Sequence, residues 1–242
     1  MYRLVSLSGL PELIHGISTK DEGNMSLLWG AEAEVTANRN RFLAGLGLNY
    51  KQFVAASLEA GTEIVEVGAA EMGKKITGDA LVTRELNVPL WMLTADCFPV
   101  IFFEPAAKIL ALVHCGRRGV DGELPQKVVE RIGRLGGEPQ RLVVGIGPGI
   151  GKKSYTWEGE LPFKKSGGWE LFVEKKDGIW YLGVEDYLTN QLLNAGVKKG
   201  NITRSGIYVF TDNNFYSHIR SIKTGEPEGR FATVVMMKDA KV

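Results

Sequence analysis

Two apolar runs with a short turn between them limit what this chain can fold into more than any other feature. They are Phe98 to Phe103 and Ile109 to Val113, separated by Glu104-Pro105-Ala106-Ala107-Lys108. Each run has strand length and strand composition, so a β-hairpin is predicted. Both cysteines and one of the three histidines lie in or beside this stretch, within Thr94-Ala95-Asp96-Cys97-Phe98-Pro99 and His114-Cys115-Gly116-Arg117-Arg118-Gly119. With the turn centred near Ala106, the hairpin brings Cys97 to within about one or two residues of level with His114. A thiol and an imidazole distant in sequence become neighbours.

The rest of the chain supplies elements to pack on that hairpin. Short strands are predicted around Leu4–Leu7, Leu13–Ile17, Phe53–Ala56, Glu63–Val67, Gly78–Val82 and Pro89–Leu93. Further strands are predicted over Leu142–Ile146, Ile207–Phe210 and Phe231–Met237. Helical spacing of apolar residues appears from Glu32 to about Gly45, after Pro125 (Val128, Val129, Ile132, Leu135) and from Val184 to Ala195. Residues 152–180, with Gly167-Gly168, read as loops and a β-excursion, and Phe215–Arg230 as a polar loop. Strands and helices mix without strict alternation. An α+β fold is expected, with mixed sheets and helices packed in a sandwich, forming a single domain over residues 1–242.

Charge and composition exclude several function classes. The formal net charge is +1, which gives no electrostatic surface for nucleic acid or membrane. No apolar run approaches the roughly 18 to 20 residues of a membrane span. Met1-Tyr2-Arg3-Leu4-Val5 carries no signal-peptide pattern, so a cytoplasmic location is expected. Two cysteines do not make a disulfide framework, and reduced thiols are expected.

Cys97 and His114 permit two chemistries. A thiolate and a neutral imidazole are good zinc ligands. A histidine beside a cysteine also makes a thiol nucleophile. Alternatively, Cys97 is a small buried residue and His114 a hydrogen-bonded core residue. Asp96 is a candidate to orient an imidazole, or else a turn residue. Cys115 follows His114 directly, so strand alternation turns it to the opposite face, and it reads as packing. Of the two arginines, Arg118 is the candidate to bind an anion bidentately, and Arg117 reads as surface charge. His15 and His218 lie near turn signals and read as structural. Gly147-Pro148-Gly149-Ile150-Gly151 after a strand allows close backbone approach of a ligand, but its spacing is neither a P-loop nor a dinucleotide fingerprint.

Taken together, Thr94–Pro99, His114–Gly119, Gly147–Gly151 and the closing Phe215-Tyr216-Ser217-His218 with Gly229-Arg230-Phe231-Ala232 resemble the laccase-domain family, also called polyphenol oxidase or YfiH-like proteins. His15-Gly16-Ile17-Ser18-Thr19-Lys20, Asn38-Arg39 and Gly78-Asp79-Ala80 extend the resemblance over nearly the whole chain. The resemblance implies a sandwich of mixed sheets and a purine nucleoside phosphorylase that also deaminates adenosine, with nucleoside and phosphate as partners. It also implies zinc held by a His, a Cys and a His, the last two matching Cys97 and His114. The first His belongs to a Gln-any-His-Gly motif, whose counterpart here is Leu58-Glu59-Ala60-Gly61. Ala60 therefore stands at the third ligand, and Glu59 could substitute only through a bulge. Further departures are Cys115 and Arg117 in the segment after the second strand, Lys153-Ser154-Tyr155 after the Gly-rich loop, and Ile207-Tyr208. Two matching ligands make zinc doubtful as a cofactor. Two alternatives follow: a paralogue with impaired catalysis and a binding or regulatory role, and a metal-free Cys-His enzyme like the glutamine deamidases of certain bacterial toxins.

Overall fold

The predicted hairpin forms, and its alternating side chains explain the layers around it. The structure is a computed structural model that describes residues 1–49, 52–161, 163 and 168–239. Phe98–Glu104 and Ile109–Cys115 pair antiparallel from Phe98↔Cys115 to Glu104↔Ile109, and every residue of both strands is buried. Val100, Phe102, Ile109, Ala111 and Val113 point into one core, while Ile101, Phe103, Leu110 and Leu112 point into another. A strand buried on both faces reads as a continuous apolar run, as this one does. The turn is held by Glu104, fully buried, whose carboxylate accepts the Ala107 N–H and pairs with Arg141 Nε at 2.7 Å.

In chain order the elements are α1 (Val5–Ser8), β1 (Leu13–Ile17), α2 (Glu32–Ala44), β2 (Val54–Ser57), β3 (Ile64–Glu66), β4 (Lys75–Thr77), β5 (Ala80–Thr83) and β6 (Leu90–Thr94). The hairpin strands are β7 (Phe98–Glu104) and β8 (Ile109–Cys115), followed by α3 (Arg117–Asp121), α4 (Leu124–Arg134) and β9 (Val143–Ile146). Then come β10 (Thr156–Trp157), β11 (Val173–Lys176), β12 (Ile179–Leu182), α5 (Val184–Asn194), β13 (Ile202–Arg204), α6 (His218–Thr224) and β14 (Phe231–Met237). One sheet has the order β13-β9-β7-β8-β5-β3, a second the order β1-β14-β6-β2-β4, and the excursion forms a small third sheet, β10-β12-β11. Both large sheets mix parallel and antiparallel pairs. They pack face to face, and Ile101, Phe103 and Leu112 meet Leu90, Met92, Phe231 and Val235 between them. The outer face of the first sheet is covered by α4 and α5 through Val128, Ile132, Leu188 and Leu192. The outer face of the second is covered by α2, whose Phe42 and Leu43 pack on Trp91 of β6. This is the expected α+β sandwich.

Three local expectations are corrected. Leu4–Leu7 is not a strand: Val5–Ser8 is one helical turn, because Leu4 and Leu7 are both fully buried while Val5 between them is exposed. That spacing of three fits a helix and not a pleat. Ile207–Phe210 is not a strand either, and only Tyr208 bridges to Gly149. The buried Arg220 guanidinium takes the carbonyls of Val209, Phe210, Asp212 and Phe215, which curls this segment around one cation. The Phe215–Arg230 segment contains α6, capped by Ser217 Oγ, which accepts the Arg220 N–H at 3.2 Å. The predicted β-excursion is present, and Gly167 within it lies outside the described residues.

Candidate functional site

Register puts the reactive side chains together. Pro99 lies opposite His114, so Cys97, two residues earlier, sits at the mouth of the hairpin beside the imidazole. Its thiol is hydrogen-bonded to the His114 ring. The close approach requires Gly116: a Cβ there would lie 2.7 Å from Cys97 Sγ and 3.5 Å from His114 Cε1. β5 adds the third group. Pairing Ala80 with Val113 brings Asp79 alongside His114. The His114 N–H donates to the Asp79 carbonyl at 2.7 Å, and His114 Nδ1 meets Asp79 Oδ1 at 2.8 Å. Asp79 Oδ2 accepts the Gly61 N–H at 2.7 Å, and the Glu59 N–H also supports the carboxylate.

These contacts set the electrostatics. Burial alone would lower the His114 pKa, but the Cys97 charge and the hydrogen bonds from Asp79 and Cys97 outweigh it and push the value up to about 10. Burial raises the Asp79 carboxyl, yet the bonds from His114 and the two backbone N–H groups hold it below the usual range. Cys115 faces the helical core, fully buried, and burial pushes its thiol well up. This is the packing role expected of it.

The Cys97 thiol opens on a cavity of about 170 Å³, whose lining includes Arg117, Ile150, Tyr155, Val184 and His218. Arg117 is half-buried, stacks over Trp157 at 5.6 Å, and has a buried Nε without a hydrogen-bond partner. Its charge and a hydrogen bond act on Tyr155, whose hydroxyl is nevertheless pushed up, chiefly by burial. Arg118, one residue on, is exposed and outside this lining. Asp96 lines the cavity but faces α6, accepting Ser217 Oγ at 2.6 Å and the Ile219 N–H at 2.8 Å. Burial raises its carboxyl despite these bonds. Asp79, not Asp96, holds the imidazole. A larger cleft of about 700 Å³ lies along the same loop, lined by Lys152, Lys153, Lys176, Tyr181 and Tyr208, but it contains neither thiol nor imidazole.

Sequence reasoning gave no chemical part to Asp79, Arg117, Tyr155 or His218. The signal that could have found Asp79 is the pairing of the Gly78–Val82 strand with the hairpin. The other three meet only through loops and helix starts.

A catalytic zinc takes three protein ligands and keeps one position for water. The donors here are one thiol and one imidazole nitrogen, since His114 Nδ1 is committed to Asp79. Ala60 sits at the third position with φ +55. The Glu59 side chain is exposed, and only its backbone N–H turns inward. Among the described residues no three His, Cys, Asp or Glu side chains are grouped to hold a metal. The residues present do not fit a three-ligand zinc. Among the described residues, too, no helix is long and apolar enough to cross a membrane.

Comparison with known proteins follows the fold. A purine nucleoside phosphorylase of Deinococcus radiodurans is 30% identical over 187 residues, 77% of this chain and 72% of its own length. The crystal structure of the hypothetical protein YfiH of Bacillus licheniformis has the same fold, with a TM-score of 0.85 at 23% identity over 97% of this chain and 96% of that one. YlmD of Geobacillus stearothermophilus superposes with a TM-score of 0.83 at 26% identity, over 96% and 94% of the two chains. The profile for multi-copper polyphenol oxidoreductase laccase matches residues 15–238. With the sandwich, the hairpin and nearly the full length in agreement, the chain belongs to the multi-copper polyphenol oxidoreductase laccase family.

Proposed function

We propose that this chain acts on purine nucleosides at the Cys97 cavity, exchanging the base for phosphate without a metal. One observation carries the reading: the Cys97 cavity is lined by Arg117, which has a buried guanidinium nitrogen without a hydrogen-bond partner, and is backed by the His114 imidazole behind the Cys97 thiol. His114, oriented through Nδ1 by Asp79, gives the proton of its other nitrogen to the leaving base when the substrate takes the place of the Cys97 thiol there. Arg117 takes the phosphate, whose charge its buried Nε would satisfy. As a phosphate oxygen bonds to C1′ of the sugar, the C1′–N9 bond breaks. Its electron pair moves into the purine, which is protonated by His114. The names of the relatives supply the substrate class. The test is phosphate-dependent release of base from adenosine, inosine and guanosine by untagged, chelator-treated protein. Turnover that is lost in His114→Asn and Arg117→Ala supports the reading. A protein inert on the whole panel refutes it and leaves the impaired paralogue with a binding role.

The Cys97–His114–Asp79 line also favours a second reading, a thiol nucleophile. Cys97 Sγ adds to an amine-bearing sp² carbon, such as C6 of adenosine. Ammonia leaves with a proton from His114, and water then releases the product and the thiol. Ammonia release from adenosine or from glutamine side chains without phosphate, abolished in Cys97→Ser, separates this from phosphorolysis.

A further inference from the structure

His218 opens α6 at the rim of the same cavity and, like His114, has a carboxylate at Nδ1. Its Nδ1 contacts Glu228 Oε2 at 2.9 Å. That carboxylate is held in place by two more partners: Ser221 Oγ donates to Oε2 at 2.6 Å, and Arg230 Nη1 pairs with Oε1. Three donors converge on Glu228, so its carboxyl is kept below the usual range despite burial. The Glu228 side chain is 14% exposed and the His218 side chain 48%. The ring is therefore anchored on one edge and open to solvent on the other. With Nδ1 engaged, Nε2 is the nitrogen left for a ligand, and it has no protein partner among the described residues. One imidazole, His218, thus lines the cavity and a second, His114, lies behind its Cys97 wall, each with a carboxylate on Nδ1. One is buried against the Cys97 thiol, and the other stands at the solvent side beside Asp96.

A reaction that both takes and gives a proton needs two groups, and their placement divides the work. We propose that His218, oriented by Glu228, is the second acid–base residue of the Cys97 cavity and removes the proton of the attacking phosphate. The inference rests on the phosphorolysis reading above. When dihydrogen phosphate attacks C1′, its O–H proton passes to His218 Nε2 while His114 protonates the departing base. The two imidazoles then re-equilibrate with solvent, His218 directly through its open edge. The deeply buried His114 would be a poor exchange point for both protons.

The test is steady-state phosphorolysis by the full chain. His218→Asn keeps a donor for Glu228 and removes Nε2. Its expected effect is a fall in kcat of about a hundredfold, with KM for nucleoside changed less than about threefold. Added imidazole should restore part of the lost rate, since half the ring's surface faces solvent. Glu228→Gln should lower kcat less, because it loosens the ring without removing it. Melting temperature monitors folding in both variants. A His218→Asn rate within about twofold of wild type overturns the inference, as does a loss that imidazole does not rescue. Failure here is distinct from failure of the phosphorolysis reading: a wild-type chain inert on every nucleoside removes both, whereas an active wild type with an equally active His218→Asn removes only the second acid–base residue.

Discussion

Replacing Asp79 with Asn tests the arrangement of the site at its most constrained point. Both oxygens of this fully buried carboxylate accept from donors: Oδ2 from the Gly61 N–H at 2.7 Å and Oδ1 from His114 Nδ1 at 2.8 Å. A carboxamide matches only one of them. Its NH2 group must face either the Gly61 N–H or the ring nitrogen, so one hydrogen bond becomes a donor–donor contact or the imidazole changes tautomer. Losing one side of a buried, charge-assisted pair costs about 2 to 4 kcal/mol. For a chain of this size that is a fall in Tm of roughly 5 to 15 °C. The pH dependence has a definite sign. The His114 pKa is raised to about 10, so its stabilisation is fully present below the unfolded value near 6.5 and is lost as pH rises through about 10. The Asp79 pKa is lowered, so its stabilisation is present above the unfolded value near 3.9 and is lost as pH falls through the lower, folded value. The stability gap between wild type and Asp79→Asn should be widest around neutrality and close at both extremes. Urea unfolding across pH measures it. A gap below about 0.5 kcal/mol at neutral pH, or one that does not narrow towards pH 10, would refute the argument. Any turnover should also drop by at least about a hundredfold, because the wrong tautomer would face Cys97.

Other outcomes follow from the same contacts. Iodoacetamide should label Cys97 in the native protein and reach Cys115 only on unfolding, since Cys115 is fully buried and its thiol is pushed up; peptide mass mapping reads both sites. His15 is buried with Nε2 accepting the Leu4 N–H at 3.0 Å, and burial followed by the Arg3 charge lowers its pKa to about 4. It should stay neutral in NMR titrations down to about that pH, and the stability it supports should be lost as pH falls from about 6.5 towards 4. Arg220→Lys should cost about 3 to 5 kcal/mol in urea unfolding, because one ammonium cannot serve the carbonyls that the guanidinium collects. Ala60→His should raise zinc retention of untagged protein at least tenfold by metal analysis, since it returns a third donor to a φ that His tolerates better than most residues.

The hairpin and the Cys97–His114 pair were legible because both depend on local rules. Two apolar runs and a five-residue connection define a register, and the register defines the neighbours. The layers were legible for a related reason: strands buried on both faces need a covering layer on each side. What escaped depends on partners far along the chain. Asp79 reaches His114 only because β5 pairs with β8, 35 residues away. α6 starts where it does partly because Asp96 accepts the Ile219 N–H from 123 residues back. Ile207–Phe210 has strand composition, yet Arg220 outcompetes a neighbouring strand for two of its carbonyls. The interchange of the two arginines has the same origin. α3 begins at Arg117, which turns Arg117 towards Trp157 and Tyr155 and leaves Arg118 in solvent, and no local pattern distinguishes them.

The loop that carries Ala60 explains how the site keeps its shape with only two of the three metal donors. Asp79 grips that loop by its backbone, through the N–H groups of Glu59 and Gly61, so the side chain at position 60 contributes nothing to holding it. The same carboxylate fixes His114 through Nδ1, which is the support a metal-bound imidazole requires and equally the support an acid–base imidazole requires. An alanine at position 60 therefore leaves Cys97 and His114 in place. The pair's geometry is indifferent to whether a metal is part of the chemistry. The discriminating residues are those that differ from the family pattern around an unchanged Asp79–His114 unit: Ala60 removes a donor, and Arg117 adds an anion-seeking cation in the cavity lining beside Cys97. With one thiol and one free imidazole nitrogen as donors and a buried guanidinium nitrogen without a partner in the lining, the positive charge these residues offer a reactant comes from a side chain, which is the ground for proposing phosphate as that reactant.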